Sequence, residues 1–279
     1  MAYVLALLSA GFYGAADFTG GLVTRRAAAI PVVLLSQASG LVLVALALPL
    51  LPAATPRTAD LWWGAIAGLT GGVGVALLYY ALSIGTMSVV APTTAVAAVA
   101  LPVVTSIALG ERPSAIAIAG ILLGVVSIVM VSLQSTDRTA AQGARTGVGL
   151  ALLAGIGFGL FLLTLAQTRP EAGMWPLLTD RIASVALFAI LAAVRRRSLR
   201  IPAGLTALAL GGGALDMIAN ALYLLAVRIG PLSPVVTLSS LYPASTVLLA
   251  RGILGERLSA WQTAGVLTAL VALMLIVSG

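Results

Sequence analysis

The heptapeptide LGERPSA at residues 109–115 returns as LGERLSA at residues 254–260, an offset of 145 residues. Smaller landmarks follow the same offset: Gly14 and Gly159, Ala81 and Ala226, Gly85 and Gly230, and Ser88 and Ser233. Self-similarity at a fixed period is the signature of an internal repeat. The chain therefore consists of two related halves, and the heptapeptide marks the same point in each.

The composition indicates a membrane protein, because 61% of the residues are hydrophobic and only 8% are charged. An ordinary soluble domain has about 25% charged residues. Apolar runs of about 20 residues recur, which is long enough to cross a hydrocarbon core of roughly 30 Å. Spans in lipid must satisfy their own backbone hydrogen bonds and are therefore helices. The predicted spans are 3–23, 30–52, 61–83, 87–109, 115–133, 147–167, 174–194, 203–227, 231–252 and 260–278.

Each half of the chain contains five of these ten predicted spans. Because five is odd, the second half enters the membrane from the opposite face. Two like halves in opposite orientations, with a substrate site between them, are typical of secondary transporters. We therefore predict an all-α integral membrane protein of ten transmembrane helices, arranged as two inverted five-helix repeats around a central cavity. The repeats are residues 1–134 and 147–279, and a polar linker at 135–146 joins them.

The net charge of +7 comes from 15 arginines, since the chain has no lysine. Nearly all of these arginines lie between apolar runs, which favours contact with the lipid bilayer and not with nucleic acid. Ten loop arginines follow odd-numbered spans and four follow even-numbered spans. The positive-inside rule then places the odd-numbered loops in the cytoplasm and both termini outside. We expect a multi-pass protein of the cell membrane.

Several kinds of catalysis are excluded by composition. The chain has no cysteine and no histidine, so it has neither thiol catalysis nor a zinc site of the HExxH type. It has no lysine for a serine–lysine dyad and no phosphate-binding loop for ATP hydrolysis. We expect no metal, no cofactor and no enzymatic activity. An aspartyl dyad of Asp17 and Asp216 stays open as an alternative, although neither residue has the usual Gly-x-Gly-Asp setting.

Four charged residues lie well inside predicted spans: Asp17, Asp180, Arg181 and Asp216. A charge at the bilayer centre costs about 2.5–3.5 kcal/mol on insertion scales, so such a residue is either paired or used. Asp216, Asn220 and Tyr223 are spaced by four and three residues and share one helical face. This polar stripe predicts an aqueous cavity, with a buried network that locks helices together as the alternative.

Asp17 lies in the first span on a face of small and polar residues that includes Tyr13 and Gly14. The 145-residue offset matches Asp17 with Leu162 and Asp216 with Gly71, so neither acid is repeated. We predict that Asp17 or Asp216 binds a cationic group or carries a proton. Arg181 is the natural partner of either acid, with anion binding as its alternative role. Hydroxyl groups of Ser233 and Thr237 in the ninth span complete the predicted binding site.

The doubled heptapeptide has a structural interpretation. Its glycines can adopt the left-handed conformation that ends a helix, and its serines can cap the next helix. Its glutamates lie at the membrane interface, where a nearby arginine can neutralise them. We predict a structural corner, with gating as the alternative and no contact with substrate. The residues of this motif are Gly110, Glu111, Arg112, Gly255, Glu256 and Arg257.

The pattern resembles the drug/metabolite transporter superfamily, specifically its ten-helix EamA-type members. The resemblance rests on the doubled LGER motif, on Pro243 thirteen residues before Glu256, and on the GFYG stretch at residues 11–14. The first half departs from the pattern, because Ala98 stands at the position that matches Pro243. Members are usually drawn with both termini in the cytoplasm, which conflicts with the arginine distribution. The resemblance implies a carrier of small metabolites, often an exporter, that does not use ATP.

The sequence therefore favours a secondary active transporter that moves a small-molecule metabolite or drug by alternating access, with export coupled to protons as the first hypothesis. Facilitative or sodium-linked uptake is the second. A channel is a further alternative, although no short broken segment predicts a selectivity filter. Neither the substrate nor the oligomeric state follows from the sequence.

Overall fold

The computed structural model describes residues 1–108, 114–132, 138–196, 199–230, 235 and 238–278, and this part of the chain contains no β-strand. The long helices are α1 Ala2–Thr24, α2 Ala29–Ala47, α3 Thr58–Ile84, α4 Met87–Ala108, α5 Ala115–Ser132, α6 Arg138–Leu165, α7 Trp175–Val194, α8 Ala203–Ile229, α9 Tyr242–Leu254 and α10 Ala260–Ser278. Short 3₁₀ turns follow α2 at Leu48–Leu50 and precede α7 at Pro170–Ala172. The protein is all-helical, as the sequence predicts.

Seven of the described helices are long and apolar enough to cross a membrane: α1, α2, α3, α6, α7, α8 and α10. Most helix boundaries lie within a few residues of the predicted spans. Two helices differ more. In the ninth predicted span, 231–252, a turn at residues 240–241 precedes α9, which begins only at Tyr242. The sixth helix begins at Arg138 and not at residue 147. Residues 138–146 are polar but rich in alanine, arginine and glutamine, which are good helix formers. The helix therefore extends beyond the apolar run, into the segment predicted as a linker.

The packing of the helices reflects the inverted repeat. Helix α1 packs on α8 and α9, and its repeat mate α6 packs on their mates α3 and α4. In the same way α2 packs on α8, while α7 packs on α3. Three helix pairs join mates directly: α2 with α7, α4 with α9 and α5 with α10. Exchanging the halves therefore preserves these neighbours, as a two-fold relation between inverted five-helix repeats requires.

Glycines allow the closest helix contacts at the centre of the bundle. A Cβ atom at Gly68 of α3 would overlap the carbonyl oxygen of Asp180 in α7. At the repeat-related position, a Cβ atom at Gly213 of α8 would overlap the carbonyl oxygen of Ser36 in α2. These contacts bring α2 and α7 against the long helices α3 and α8. They place the polar residues of α2 and α7 at the middle of the protein.

Replacing Gly213 by alanine is expected to lower the unfolding free energy by about 1–3 kcal/mol, because the added methyl group overpacks the contact between α8 and α2. Gly211 is the matched control, since it lies in the same helix with no heavy atom within 4 Å of an added Cβ. Gly211→Ala is expected to be neutral or slightly stabilising, because alanine is the better helix former. Thermal unfolding of the purified variants compares the two. Equal melting temperatures for both variants would contradict the packing described for Gly213.

Candidate substrate site and interrepeat clasps

A cavity of about 210 Å³ lies at the centre of the bundle between the two repeats. Helices of both halves contribute to its wall, and phenylalanine and leucine residues of α6 form much of its apolar part. The polar residues in the wall are Tyr13, Asp17, Ser36, Gln37, Tyr79, Asp180, Arg181, Asp216, Asn220, Tyr223, Ser239, Ser240 and Tyr242. A concave cavity that combines apolar walls with convergent polar groups is the usual form of a small-molecule site.

Arg181 is the centre of the charged cluster in this cavity. Its guanidinium donates to the side-chain oxygen of Gln37 and to the carboxylate of Asp216. Its Nε lies 3.4 Å from Oδ2 of Asp180. Arg181 is only 5% exposed and Asp180 only 4% exposed, so these charges are stabilised by pairing and not by water. The cluster joins α2 of the first repeat to α7 and α8 of the second.

Asn220 supports Asp216 from one helical turn away. Its Nδ2 donates to the Asp216 backbone carbonyl at 2.9 Å and approaches Oδ2 of the same residue at 3.4 Å. Tyr223 lies on the same stretch of α8 and also lines the cavity. The polar stripe predicted on this helix therefore faces the cavity and is at the same time part of a buried network, which are the two alternatives that the sequence left open.

Asp17 differs from the other two carboxylates of the cavity. Within the described part of the chain, the Asp17 side chain has neither a hydrogen bond nor an ion pair, although it lines the cavity. Arg181 pairs with Asp216 and Asp180 instead. The described residues of the cavity wall thus include three carboxylates and one guanidinium, an excess of two negative charges when all are ionised. Among the described carboxylates of the cavity, Asp17 is the one without a side-chain partner.

Two tyrosines of the cavity wall, Tyr79 and Tyr242, were not predicted as site residues from the sequence. The tip of the Tyr79 ring lies against Gly20 of α1, and Tyr79 is 3% exposed, whereas the adjacent Tyr80 is 48% exposed. The rings of Tyr13 and Tyr242 meet edge to face, with 6.1 Å between their centroids. The sequence gives one signal for Tyr79, namely two adjacent tyrosines in α3. Only the structure shows that Tyr79 faces inward and Tyr80 outward.

Two predicted site residues, Ser233 and Thr237, lie outside the described residues. Ser239 and Ser240, which follow them in the sequence, make different contacts. Ser239 is buried and donates to the carbonyl of Ala6 at 3.4 Å, so it joins α1 to the second repeat. Ser240 lines the cavity.

The second copy of the LGER motif forms a contact between the repeats. Gly255 ends α9 in the left-handed conformation, with φ 65° and ψ 25°. The Glu256 carboxylate accepts hydrogen bonds from the Met87 and Ser88 amides, each at 3.0 Å, and from the Ser88 hydroxyl at 2.9 Å. It also lies 3.3 Å from Nη2 of Arg25. Glu256 therefore caps α4 of the other repeat.

We call this group of Arg25, Met87, Ser88 and Glu256 the odd-face clasp, because its residues follow α1, α3 and α9. Arg257 is exposed, and Ser259 accepts a hydrogen bond from the Gln262 amide at 3.1 Å. The first copy of the motif, with Gly110, Glu111 and Arg112, lies outside the described residues.

The opposite face has a second contact between the repeats. The Asp60 carboxylate accepts hydrogen bonds from the backbone amides of Arg57 at 2.8 Å and Arg169 at 3.0 Å. It also accepts one from Nη2 of Arg169 at 2.9 Å. The same Nη2 donates to the Thr55 carbonyl at 3.2 Å. We call Thr55, Asp60 and Arg169 the even-face clasp, because it joins the loops that follow α2 and α6.

Comparison with known proteins agrees with this architecture. The model of the EamA-like transporter family matches the chain twice, at residues 1–133 and 145–278. A solved structure described as "Crystal structure of protein" covers 96% of this chain and 95% of its own, with a TM-score of 0.64. Its sequence is 15% identical, so this likeness concerns the fold alone. No curated protein sequence matches the chain. Because one family model covers both halves, this multi-pass membrane protein belongs to the EamA-like transporter family, whose members transport small molecules.

Proposed function

We propose that the protein is a secondary active transporter that exports a small molecule across the cell membrane in exchange for protons. The observation that carries this proposal is the central cavity between the inverted repeats, with an unpaired carboxylate, Asp17, in its wall. Ionisable residues inside a membrane protein mark substrate and proton pathways. A site at the interface of two inverted repeats can be reached alternately from either face when the repeats rock against each other.

The clasps support alternating access. Glu256 of the second repeat binds Arg25 and the start of α4 in the first repeat on one face. Asp60 of the first repeat binds Arg169 of the second on the other face. Opening the cavity toward one face requires the clasp on that face to break while the other holds. Each clasp consists of charge-assisted hydrogen bonds, which form and break without repacking an apolar core.

Asp17 is suited to couple substrate and proton because one carboxylate can hold either of them but not both. Asp216 and Asp180 both pair with Arg181, whereas Asp17 pairs with no described residue. When the substrate leaves, a proton on Asp17 removes the charge that would otherwise remain uncompensated in the closed cavity. The return of the empty transporter then carries the proton in the opposite direction.

An aspartyl enzyme is a less suitable interpretation of the same residues. Its two carboxyl groups would have to lie side by side and share one proton. Here the Asp216 carboxylate accepts a hydrogen bond from Arg181. Asp17 forms no hydrogen bond with either residue. The absence of catalysis stays a prediction, and transport is the function that the geometry supports best.

The proposal is tested by reconstituting the purified protein in liposomes that contain a pH-sensitive dye. A panel of an organic cation, a zwitterion and an anion is applied outside, one solute at a time. We expect at least one solute gradient to drive proton movement in the opposite direction, and a protonophore to abolish this coupling. Solute flux that a protonophore leaves unchanged would favour facilitative or sodium-linked transport. Folded protein that moves no proton with any solute would contradict the proposal.

A further inference from the structure

We infer that the substrate is a compact organic ammonium cation, bound by the Asp17 carboxylate within a box of three tyrosines. The tyrosines are Tyr13 of α1, Tyr79 of α3 and Tyr242 of α9. This inference rests on the proposed function, because it names the chemical class that the same cavity carries.

The box is formed by the arrangement of small residues along α1. Gly14 precedes Asp17 by three residues and Gly20 follows it by three, so all lie on one helical face. The Tyr79 ring fills the space beside Gly20, and α9 packs against Gly14 through the carbonyl of Tyr242. Because neither glycine has a side chain, α3 and α9 pack closely against the part of α1 that carries Asp17.

Tyr13 completes the box from α1 itself. It precedes Asp17 by four residues, about one turn, and its ring meets that of Tyr242 at an interplanar angle of 62°. Asp17 and all three tyrosines line the same cavity. The faces of aromatic rings are electronegative and attract ammonium groups, with quaternary ammonium ligands as the best-known case. An acid among aromatic rings is therefore a site for a cation.

An anionic substrate fits the cavity poorly. The only guanidinium in the described cavity wall belongs to Arg181, which already binds Gln37, Asp180 and Asp216. An anion would have to displace Asp216 and leave that carboxylate without its partner. The excess of two negative charges when the described wall residues are ionised favours a cation, which reduces the excess when it binds.

The size of the cavity limits the cation. Its volume of about 210 Å³ lies below the roughly 300–1,000 Å³ of pockets that hold drug-sized ligands. The cavity therefore suits a small alkyl- or arylammonium compound.

Cation and proton compete for Asp17, so acid pH is expected to weaken cation binding. The titratable or charged groups that face Asp17 across the cavity come from α1, α3, α7, α8 and α9: Tyr13, Tyr79, Asp180, Arg181, Asp216, Tyr223 and Tyr242. Arg181 and its two acids are paired with each other. The unpaired Asp17 is therefore the group expected to release a proton when a cation binds.

Calorimetry on the purified protein tests this inference with three cations: choline, tetramethylammonium and phenethylammonium. A neutral carbon analogue of choline, in which carbon replaces the nitrogen, is the matched probe. We expect at least one cation to bind, more weakly at lower pH, with release of about one proton per cation. For choline, the neutral analogue should bind at least about tenfold more weakly, a difference of 1.4 kcal/mol.

Two variants and one control localise the binding. Asp17→Asn should weaken cation binding at least about tenfold and abolish proton release, while its melting temperature stays at or above that of the wild type. Tyr79→Leu should weaken cation binding by roughly 5- to 30-fold, as expected for the loss of a cation–π contact. Arg195→Gln removes an exposed charge outside this cavity and outside both clasps, and should change neither quantity. Failure of all three cations to bind, or equal binding to Asp17→Asn, would overturn the inference.

The liposome assay separates failure of this inference from failure of the proposed function. If a zwitterion or an anion drives proton movement and the three cations do not, the protein is a transporter but its substrate is not a cation. If no solute drives proton movement, the proposed function itself is wrong. Proton movement driven by a cation, and lost in Asp17→Asn, supports both.

Discussion

Replacing Asp17 by asparagine is expected to reduce proton-driven transport to the level of liposomes without protein. Asparagine has nearly the same shape as aspartate, but its amide does not exchange a proton or neutralise a cation. Asp17 is the cavity carboxylate without a hydrogen bond or an ion pair in the described structure, so its replacement removes no structural contact. The dye-filled liposome assay measures this loss directly.

The stability of Asp17→Asn distinguishes a functional acid from a structural one. An uncompensated charge inside the membrane costs about 2.5–3.5 kcal/mol on insertion scales. Removing it should therefore leave the melting temperature unchanged or raise it. Arg195→Gln, which removes an exposed charge just after α7 and outside both clasps, is the control and should keep full transport. A large fall in the melting temperature of Asp17→Asn would show that Asp17 holds the helices together.

Replacing Arg181 by methionine, in contrast to Asp17→Asn, is expected to destabilise the protein. We expect the unfolding free energy to fall by about 3–5 kcal/mol. The substitution leaves Asp216 and the buried Asp180 without their cation and Gln37 without its donor. Removing one member of a buried ion pair costs far more than the pair contributes, because a bare charge stays behind. Thermal or denaturant unfolding in detergent measures the effect.

Two further variants control the Arg181 experiment. Arg195→Met removes an exposed arginine just after α7 and should change stability by less than about 0.5 kcal/mol. The double variant Arg181→Met with Asp216→Asn should recover part of the lost stability, because it removes one stranded charge. A double variant as unstable as the sum of the single variants would show that the two residues do not interact.

The fold follows from the sequence because its signals are local or repeated. Apolar runs of fixed length define the helices, and the doubled LGER motif defines the two halves. Which helices touch depends on small residues such as Gly68 and Gly213, and their close contacts were not evident from composition. The start of α6 at Arg138 was missed because polar residues were interpreted as a linker, although they also favour a helix.

The charged residues of the cavity were identified from sequence because a charge in an apolar span stands out. Asp17, Arg181 and Asp216 all lie in one cavity wall. The sequence did not decide which acid pairs with Arg181, since that depends on distances between helices far apart in the chain. It also missed Tyr79 and Tyr242, because a tyrosine in an apolar helix is as compatible with a lipid-facing or packing position as with a cavity.

Asp60 was missed for a different reason. An acid in the first turn of a helix is an ordinary stabilising residue, because it interacts with the free amides there. Its second role, binding Arg169 of the other repeat, exists only after the halves assemble.

Sided labelling of one cysteine tests alternating access most directly. The chain has no cysteine, so Ser240→Cys introduces a unique thiol into the cavity wall. We predict that a membrane-impermeant maleimide labels this thiol from either face. Adding Glu256→Gln, which weakens the odd-face clasp, should increase labelling from that face and decrease it from the other, and Asp60→Asn should do the reverse. Labelling from one face alone in all three proteins, or a simultaneous increase from both faces as in a channel, would contradict alternating access.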